Sequence, residues 1–197
     1  MLTSALYLTT LLNKHFTEQI GLSEEDFTTM SDFLTKETLK AQEYFVREGH
    51  LCQKIGFITD GFAKSFYLNR DGEVINYFSQ PTYWIGSLSS FEHQRPITYS
   101  VKAVTDCQLL TFSLSRFREF CSGQNANQIW EKIKIHHEKQ TASMKRNRQH
   151  SIKEQYETFV KNYPDLAFAL SLEDIAAFLE IPQQELVKIL WKMVTNQ

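Results

Sequence analysis

The sequence predicts an α+β chain: an N-terminal antiparallel β roll or jelly roll with flanking helices, one long helix, and a C-terminal pair of short helices joined by a turn. Three observations predict this. Five of the seven glycines fall between Gly49 and Gly86 and cut that region into short alternating runs. After Phe112 this punctuation stops, and apolar residues recur at helical spacing. The last 47 residues then carry two capped amphipathic segments separated by a short turn.

Residues 1–38 read as helical. Leu8, Leu11, Leu12 and Phe16 recur at helix spacing, Gly21 breaks the run, and Ser23-Glu24-Glu25-Asp26 caps a second helix carrying Phe27, Met30 and Leu34. From Leu39 to Phe112 the runs are short and strand-like. Phe62, Phe66 and Tyr67 lie in one, Val74–Phe78 forms another, and Asn69-Arg70-Asp71-Gly72 between them is a hairpin turn in which glycine supplies the positive φ. Strands at this spacing suit a closed or double-sheet architecture. Ser115 is placed to cap a short helix over Arg116–Phe120, and a long helix is expected from about Gln124 to Gln149. On it Ala126, Trp130, Ile133, His137, Gln140 and Met144 fall at alternating spacings of four and three, a narrow seam. That seam either packs on the β domain or pairs two copies of the helix; the pairing reading makes Trp130, Ile133, His137 and Met144 dimer contacts. Ile152, Tyr156, Phe159 and Val160 define the next helix, ending near Tyr163-Pro164. Ser171-Leu172-Glu173-Asp174 caps a helix with Ile175, Ala176, Phe178 and Leu179, and Pro182 opens a last one with Leu186, Ile189, Leu190 and Met193. The expected domains are 1–121, 122–150 and 151–197.

Bulk chemistry narrows the function classes. A net charge of −2 and 22% charged residues make no global case for nucleic acid or an anionic membrane. Cys52, Cys107 and Cys121 are odd in number and widely spaced, which favours free buried thiols in a reducing compartment over disulfides or zinc. The chain starts without a basic leader and has no run near the roughly 18 apolar residues that span a bilayer, so a cytoplasmic protein without a membrane partner is expected. A metal-dependent jelly-roll enzyme wants clustered His and carboxylate ligands. The β region has only His50 and His93, and the adjacent His136 and His137 point to different faces of a helix. No enzyme, metal or catalytic residue is expected.

Trp84–Ala103 is the stretch with the most chemistry. A tight apolar-glycine-small run (Trp84–Ser90) leads through a polar hinge to an alternating strand from Ile97. Backbone N–H groups opening a turn after Gly86 make a cradle for an anion. Gly86, Ser87, Leu88, Arg95, Thr98 and Tyr99 are its candidate ligand-binding residues. Phe66, Tyr83, Trp84, Phe91 and Tyr99 line a pocket beside it or belong to the core.

In order and spacing these segments resemble the Crp/Fnr family of bacterial transcription regulators. Tyr44–Gly49 is similar to the family's entry into its roll, Phe57–Lys64 to its next strand pair, and Val101-Lys102-Ala103 with Cys107–Phe112 to the run leaving its phosphate cassette. The likeness spans roughly Gly21–Met193. It implies a cyclic-nucleotide-binding-like roll, a dimerising helix and a helix-turn-helix, with a homodimer, DNA and RNA polymerase as partners. It implies that Gln183, Gln184, Lys188 and Lys192 on the second helix of the motif contact DNA, where Gln pairs with adenine and Lys with guanine or phosphate.

The family's ligand chemistry is altered here. Its cyclic-nucleotide binders use Gly-Glu-Leu and an Arg on the cyclic phosphate; the matching residues are Gly86-Ser87-Leu88 and Ile97. A phosphate without its Arg partner loses on the order of 1–3 kcal/mol or more, so binding of cyclic AMP is expected to be absent or weak, and no cofactor is expected. Arg95, two residues before Ile97, could reach the cradle if Pro96 marks a bulge. The reader is altered too. Glu180 stands where the family commonly has Gly, residues 151–197 carry a net charge of −3, and the chain ends before a β wing. Lys145, Arg146, Arg148 and Lys153 supply basic charge where the long helix meets the reader. Two functions follow: a Crp/Fnr-type regulator that senses something other than cyclic AMP or is held active, or a ligand-binding or protein-interaction module that has the architecture without DNA binding.

Overall fold

The structure is a computed structural model that describes residues 12–70, 72–123, 125–143 and 150–195. Two four-stranded antiparallel sheets form the roll. One has the order β1-β8-β3-β6, built from β1 (Thr35–Leu39), β3 (Lys54–Asp60), β6 (Trp84–Ile85) and β8 (Cys107–Ser113). The other has the order β2-β7-β4-β5, from β2 (Tyr44–Val46), β4 (Ala63–Asn69), β5 (Gly72–Ser79) and β7 (Ser100–Ala103). The β4–β5 hairpin closes with Asn69 opposite Gly72, where the sequence places a turn; Asp71 lies outside the described residues.

Helices cover the first sheet. A π-wound turn, α1 (Phe16–Ile20), ends at Gly21 in the left-handed region. The α2 helix (Glu24–Ser31) starts on Ser23, whose hydroxyl accepts from the Asp26 N–H at 3.0 Å. The helical reading of residues 35–38 is corrected: they form β1, pairing from Thr35↔Thr111 to Leu39↔Cys107, because the open edge of β8 takes the polar, Thr-rich run that local spacing left ambiguous. Beyond the short α3 (Leu88–His93) and β8, α4 (Leu114–Phe120) is capped by Ser113 rather than Ser115. Ser113 ends the strand with extended dihedrals and so can accept from the Arg116 N–H.

The long helix α5 (Ala126–Ser143) lies against this side of the roll. Its seam packs inward on the roll. Ala126, Ile129, Trp130 and Ile133 are buried in this chain's own core with Phe16, Phe57, Trp84 and Phe91. Trp130 meets Phe117 at 4.6 Å and Phe91 at 6.0 Å between ring centroids, and Gln140 donates to the Thr82 carbonyl at 2.8 Å. The rings of α3 and α4 therefore cover Trp130 and Ile133, which are not free to pair with a second copy. Met144 and the basic residues Lys145, Arg146 and Arg148 lie outside the described residues, as does Gln124.

The C-terminal unit sits on the second sheet. The α6 helix (Ile152–Asn162) opens with a full capping box between Ser151 and Glu154. Pro164 then starts a further short helix, α7 (Pro164–Ala169), instead of only ending the one before. The α8 helix (Leu172–Leu179) is capped by Ser171, and α9 (Gln183–Thr195) follows Pro182. Glu180 joins them at φ 55°, in the left-handed region that favours glycine.

Candidate functional site: the cradle at Gly86–Tyr99 and the α8–α9 pair

Gly86 is the fixed point of the cradle. Its φ is 104°, and a Cβ there would lie 3.1 Å from Cys52 Sγ and 3.2 Å from the Phe45 ring, so both backbone and space demand glycine. Ser87 follows as the N-cap of α3. Its hydroxyl accepts from the Ser90 N–H at 3.2 Å, and its own N–H donates to Cys52 Sγ at 3.4 Å. The Ser87 hydroxyl is thus occupied by the helix it caps. Ser90 is held in turn, accepting from the Cys52 N–H and donating to the Arg95 carbonyl.

The expected strand from Ile97 begins three residues later, at Ser100. Ile97 is pinned by its backbone, with its N–H on the His50 carbonyl at 2.9 Å and its carbonyl accepting from Gly49 at 2.8 Å; it is 3% exposed. Its side chain is core. Arg95 is exposed on the rim and Thr98 is exposed beside it. Tyr99 turns inward: its hydroxyl donates to the Gly86 carbonyl at 3.2 Å and accepts from Tyr77 at 3.4 Å. Burial, with Tyr77 beside it, pushes the Tyr99 phenol well above its ordinary range, so it remains a neutral donor. Of the aromatic set, Phe66, Trp84 and Phe91 are core, while Tyr83 and Tyr99 are half-buried.

A cavity of about 580 Å³ opens between the cradle and α5, bordered by Ser87, Arg95, Thr98, Tyr99, Lys134 and His137. Lys134 is paired with Glu131 at 2.6 Å and Glu92 at 3.5 Å. His137 Nδ1 is buried without a hydrogen-bond partner, and burial, with His136 nearby, lowers the imidazole pKa to about 4. His137 therefore belongs to the cavity wall, while its neighbour His136 faces His15 at 5.3 Å between ring centroids. The cavity offers hydroxyls, the neutral His137 imidazole, the exposed Arg95 guanidinium, and Lys134 with the Glu92 and Glu138 carboxylates. Among the described residues no group of three or more His, Cys, Asp or Glu is arranged to hold a metal ion.

At the other end, Leu186 of α9 is buried with Ile175, Ala176, Phe178 and Leu179 of α8, and small Ala176 lies at the crossing as the spacing predicts. Gln184, Lys188 and Lys192 are exposed on α9. Gln183 is exposed too, yet borders a cavity shared with Gly72 and Glu73 of the β4–β5 hairpin, so it faces the roll. Two features escape sequence reading. Val187, Trp191 and Val194 are 46%, 70% and 74% exposed on α9, although the sequence counts α9 as a helix with one apolar side; the 100° step from Leu190 to Trp191 is the signal for it. The second is an ion cluster of Lys64, Glu73, Lys102 and Asp174 between roll and reader. Its only local trace is a lysine inside an otherwise apolar strand run.

Residues 36–124 match the cyclic nucleotide-binding domain family. No curated protein matches the chain. Among solved structures, FixK2 from Bradyrhizobium japonicum has a TM-score of 0.64 at 18% identity, covering 83% of this chain and 85% of that one. The global regulator CLP of Xanthomonas campestris, described as responsive to c-di-GMP, has a TM-score of 0.65 at 11% identity, covering 86% and 91%. A structure from Eubacterium rectale assigned to the crp/fnr family of transcriptional regulators has a TM-score of 0.63 at 13% identity, covering 88% and 85%. The chain shares the fold of these three structures. The cradle lies within the matched residues 36–124, and Lys134 and His137 of α5 border the cavity from beyond them. No helix among the described residues is long and apolar enough to cross a membrane.

Proposed function

We propose that this chain is a cytoplasmic bacterial transcription regulator of Crp/Fnr type that binds DNA as a homodimer, engages RNA polymerase, catalyses no reaction and answers to an effector other than cyclic AMP. The observation carrying this reading is the pair of sites joined on one fold: a ligand-sized cavity beside Gly86, and an α9 that exposes Gln184 and Lys188 on a well-packed helical hairpin. The loss of cyclic AMP follows from Ile97 being core and Ser87 being spent on its cap. The domains divide as 1–121, 122–150 and 151–197. Because Trp130 and Ile133 are covered, pairing uses the outward row of α5, where Gln128, Glu131, Ile135, Glu138 and Ala142 are exposed at alternating spacings of three and four. Two reader helices on such a dimer sit about 34 Å apart, one turn of B-DNA.

A salt-titrated mobility shift with genomic fragments tests the DNA arm. Binding is expected at low salt, weakening steeply as salt rises and falling in Lys188→Ala; no shift at any salt removes DNA from the account. Calorimetry with cyclic AMP is expected to give no heat at micromolar protein, and a monomer in sedimentation removes the paired readers. A second reading, a protein-interaction module without DNA binding, is favoured by the exposed Val187, Trp191 and Val194 and by the acidic C-terminal unit. It gains if the shift fails.

A further inference from the structure

Lys64 lies in β4, and it is 6% exposed although charged. Its ammonium donates to Asp174 of α8 at 2.5 Å and to Glu73 of β5 at 2.5 Å, and Lys102 of β7 completes the cluster on the other Glu73 oxygen at 3.2 Å. Burial alone would lower the Lys64 pKa; its hydrogen bonds to the Asp174 and Glu73 carboxylates outweigh it and hold the ammonium above its ordinary value. Around the charges the contact is apolar. Phe78 of β5 meets Phe178 at 5.3 Å and Phe159 at 5.9 Å, and Phe66 and Ile75 join the same buried cluster. The strands bearing these groups also reach the cavity. β7 starts directly after Tyr99, Lys102 stands opposite Lys64 in the sheet, and β5 carries Tyr77, which bonds Tyr99.

We propose that Lys64 is the positioning residue of the α8–α9 pair, and that the state of the cavity reaches that pair along β7, β4 and β5 through this ion cluster. The inner face of α5, fixed in the core by Trp130 and Ile133, is not the moving part. A buried cluster of this kind is strongly held while complete and strongly unfavourable once one partner is lost, so it behaves as a latch. Only the functional meaning of the latch rests on the regulator reading; its existence does not.

The test uses the full chain and amide hydrogen exchange. Asp174→Asn removes the charge but keeps the amide on the Ser171 cap, and should speed exchange of the α8 amides 175–179 by about tenfold or more, leaving β3 and β8 unchanged. Lys64→Arg should preserve protection and Lys64→Met should lose it. If Lys64→Met fails to fold, Asp174→Asn still decides, since Asp174 lies outside the roll. Tyr99→Phe, at the cavity end, should speed α8 exchange in the wild-type background and add nothing in Asp174→Asn. Unchanged α8 exchange in Asp174→Asn overturns the latch. A Tyr99→Phe effect of equal size in both backgrounds overturns the route. Failure of the wild-type chain to shift DNA overturns the regulator reading and leaves both of these results standing.

Discussion

The inner face of α5 and the inner face of α8 both bury apolar side chains on the roll, but only the second encloses charge. On α5, Ala126, Ile129, Trp130 and Ile133 meet rings from α3, α4 and the first sheet, with Gln140 as a single polar anchor. On α8, Ile175, Ala176 and Phe178 are buried with the second sheet, and Asp174 of the same helix pairs with Lys64. Apolar packing is non-directional and tolerates small shifts; an ion cluster fixes one position and has no weakened intermediate. The comparison teaches that the long helix is built into the β domain's apolar core, whereas the α8–α9 pair meets that domain through a contact that includes an ion cluster.

The harshest way to break the comparison is Trp130→Ala. Removing a buried indole costs about 3–5 kcal/mol, and because Trp130 sits in the same core as the strands, the whole roll should lose stability in one urea transition. If instead the roll's transition stays put, α5 is not integral to it. Phe178→Ala is the matching change on the other face. It should cost about 3 kcal/mol or more locally, yet release and melt the reader first, so that the exposed Trp191 and the strand signal report different midpoints. Coincident midpoints would mean that the two faces form one cooperative body.

The comparison sharpens with pH, since the two faces titrate in opposite directions. Burial lowers the pKa of His15 and His137 to about 4, and both lie on the α1–α5 side. Their folded values are below the unfolded 6.5, so their contribution is complete above pH 6.5 and is lost as pH falls toward 4. For His137 this is at most about 3 kcal/mol. Lys64 is raised above 10.5, so its contribution is complete below that and is lost only as pH climbs through the raised value. Melting temperatures should drop between pH 7 and 4.5, and His137→Leu should flatten that drop. Alkaline solution should speed α8 exchange before it touches α5. A flat acid limb would show that these imidazoles are solvated in the folded chain.

The roll was legible because its signals are local. Glycines set the hairpin at Asn69–Gly72, and Ser23, Ser151 and Ser171 cap helices by contacts three residues away. The α8–α9 pair was legible as two packed helices for the same reason, with Ala176 buried between them. What was not legible is what faces what. The 4–3 row on α5 has the spacing of a coiled-coil seam, and nothing in that spacing distinguishes a partner helix from the Phe91 and Phe117 rings of the same chain. Residues 35–38 became a strand through an edge 70 or more positions away, and Lys64 found Asp174 across 110. In the cradle, the uncharged Ser87 and Ile97 could be read directly; that Ser87 would be consumed as a cap required the backbone.

The smallest expected effect tests the hinge of the reader itself. Glu180 holds φ 55° and ψ 43° between α8 and α9, its N–H on the Ala176 carbonyl. A side chain in the left-handed region costs roughly 1–2 kcal/mol, and glycine removes that while adding about 0.5–1 kcal/mol of unfolded-state entropy. Glu180→Gly should therefore stabilise the reader by up to about 1 kcal/mol, or about 2–4 °C if the chain melts as one body. Because the substitution touches neither Lys64 nor Trp130, any gain belongs to the α8–α9 turn alone. A drop in melting temperature would mean that the Glu180 side chain contributes more to the turn than its backbone strain costs, and that this carboxylate, not a glycine, sets the angle at which α9 leaves the roll.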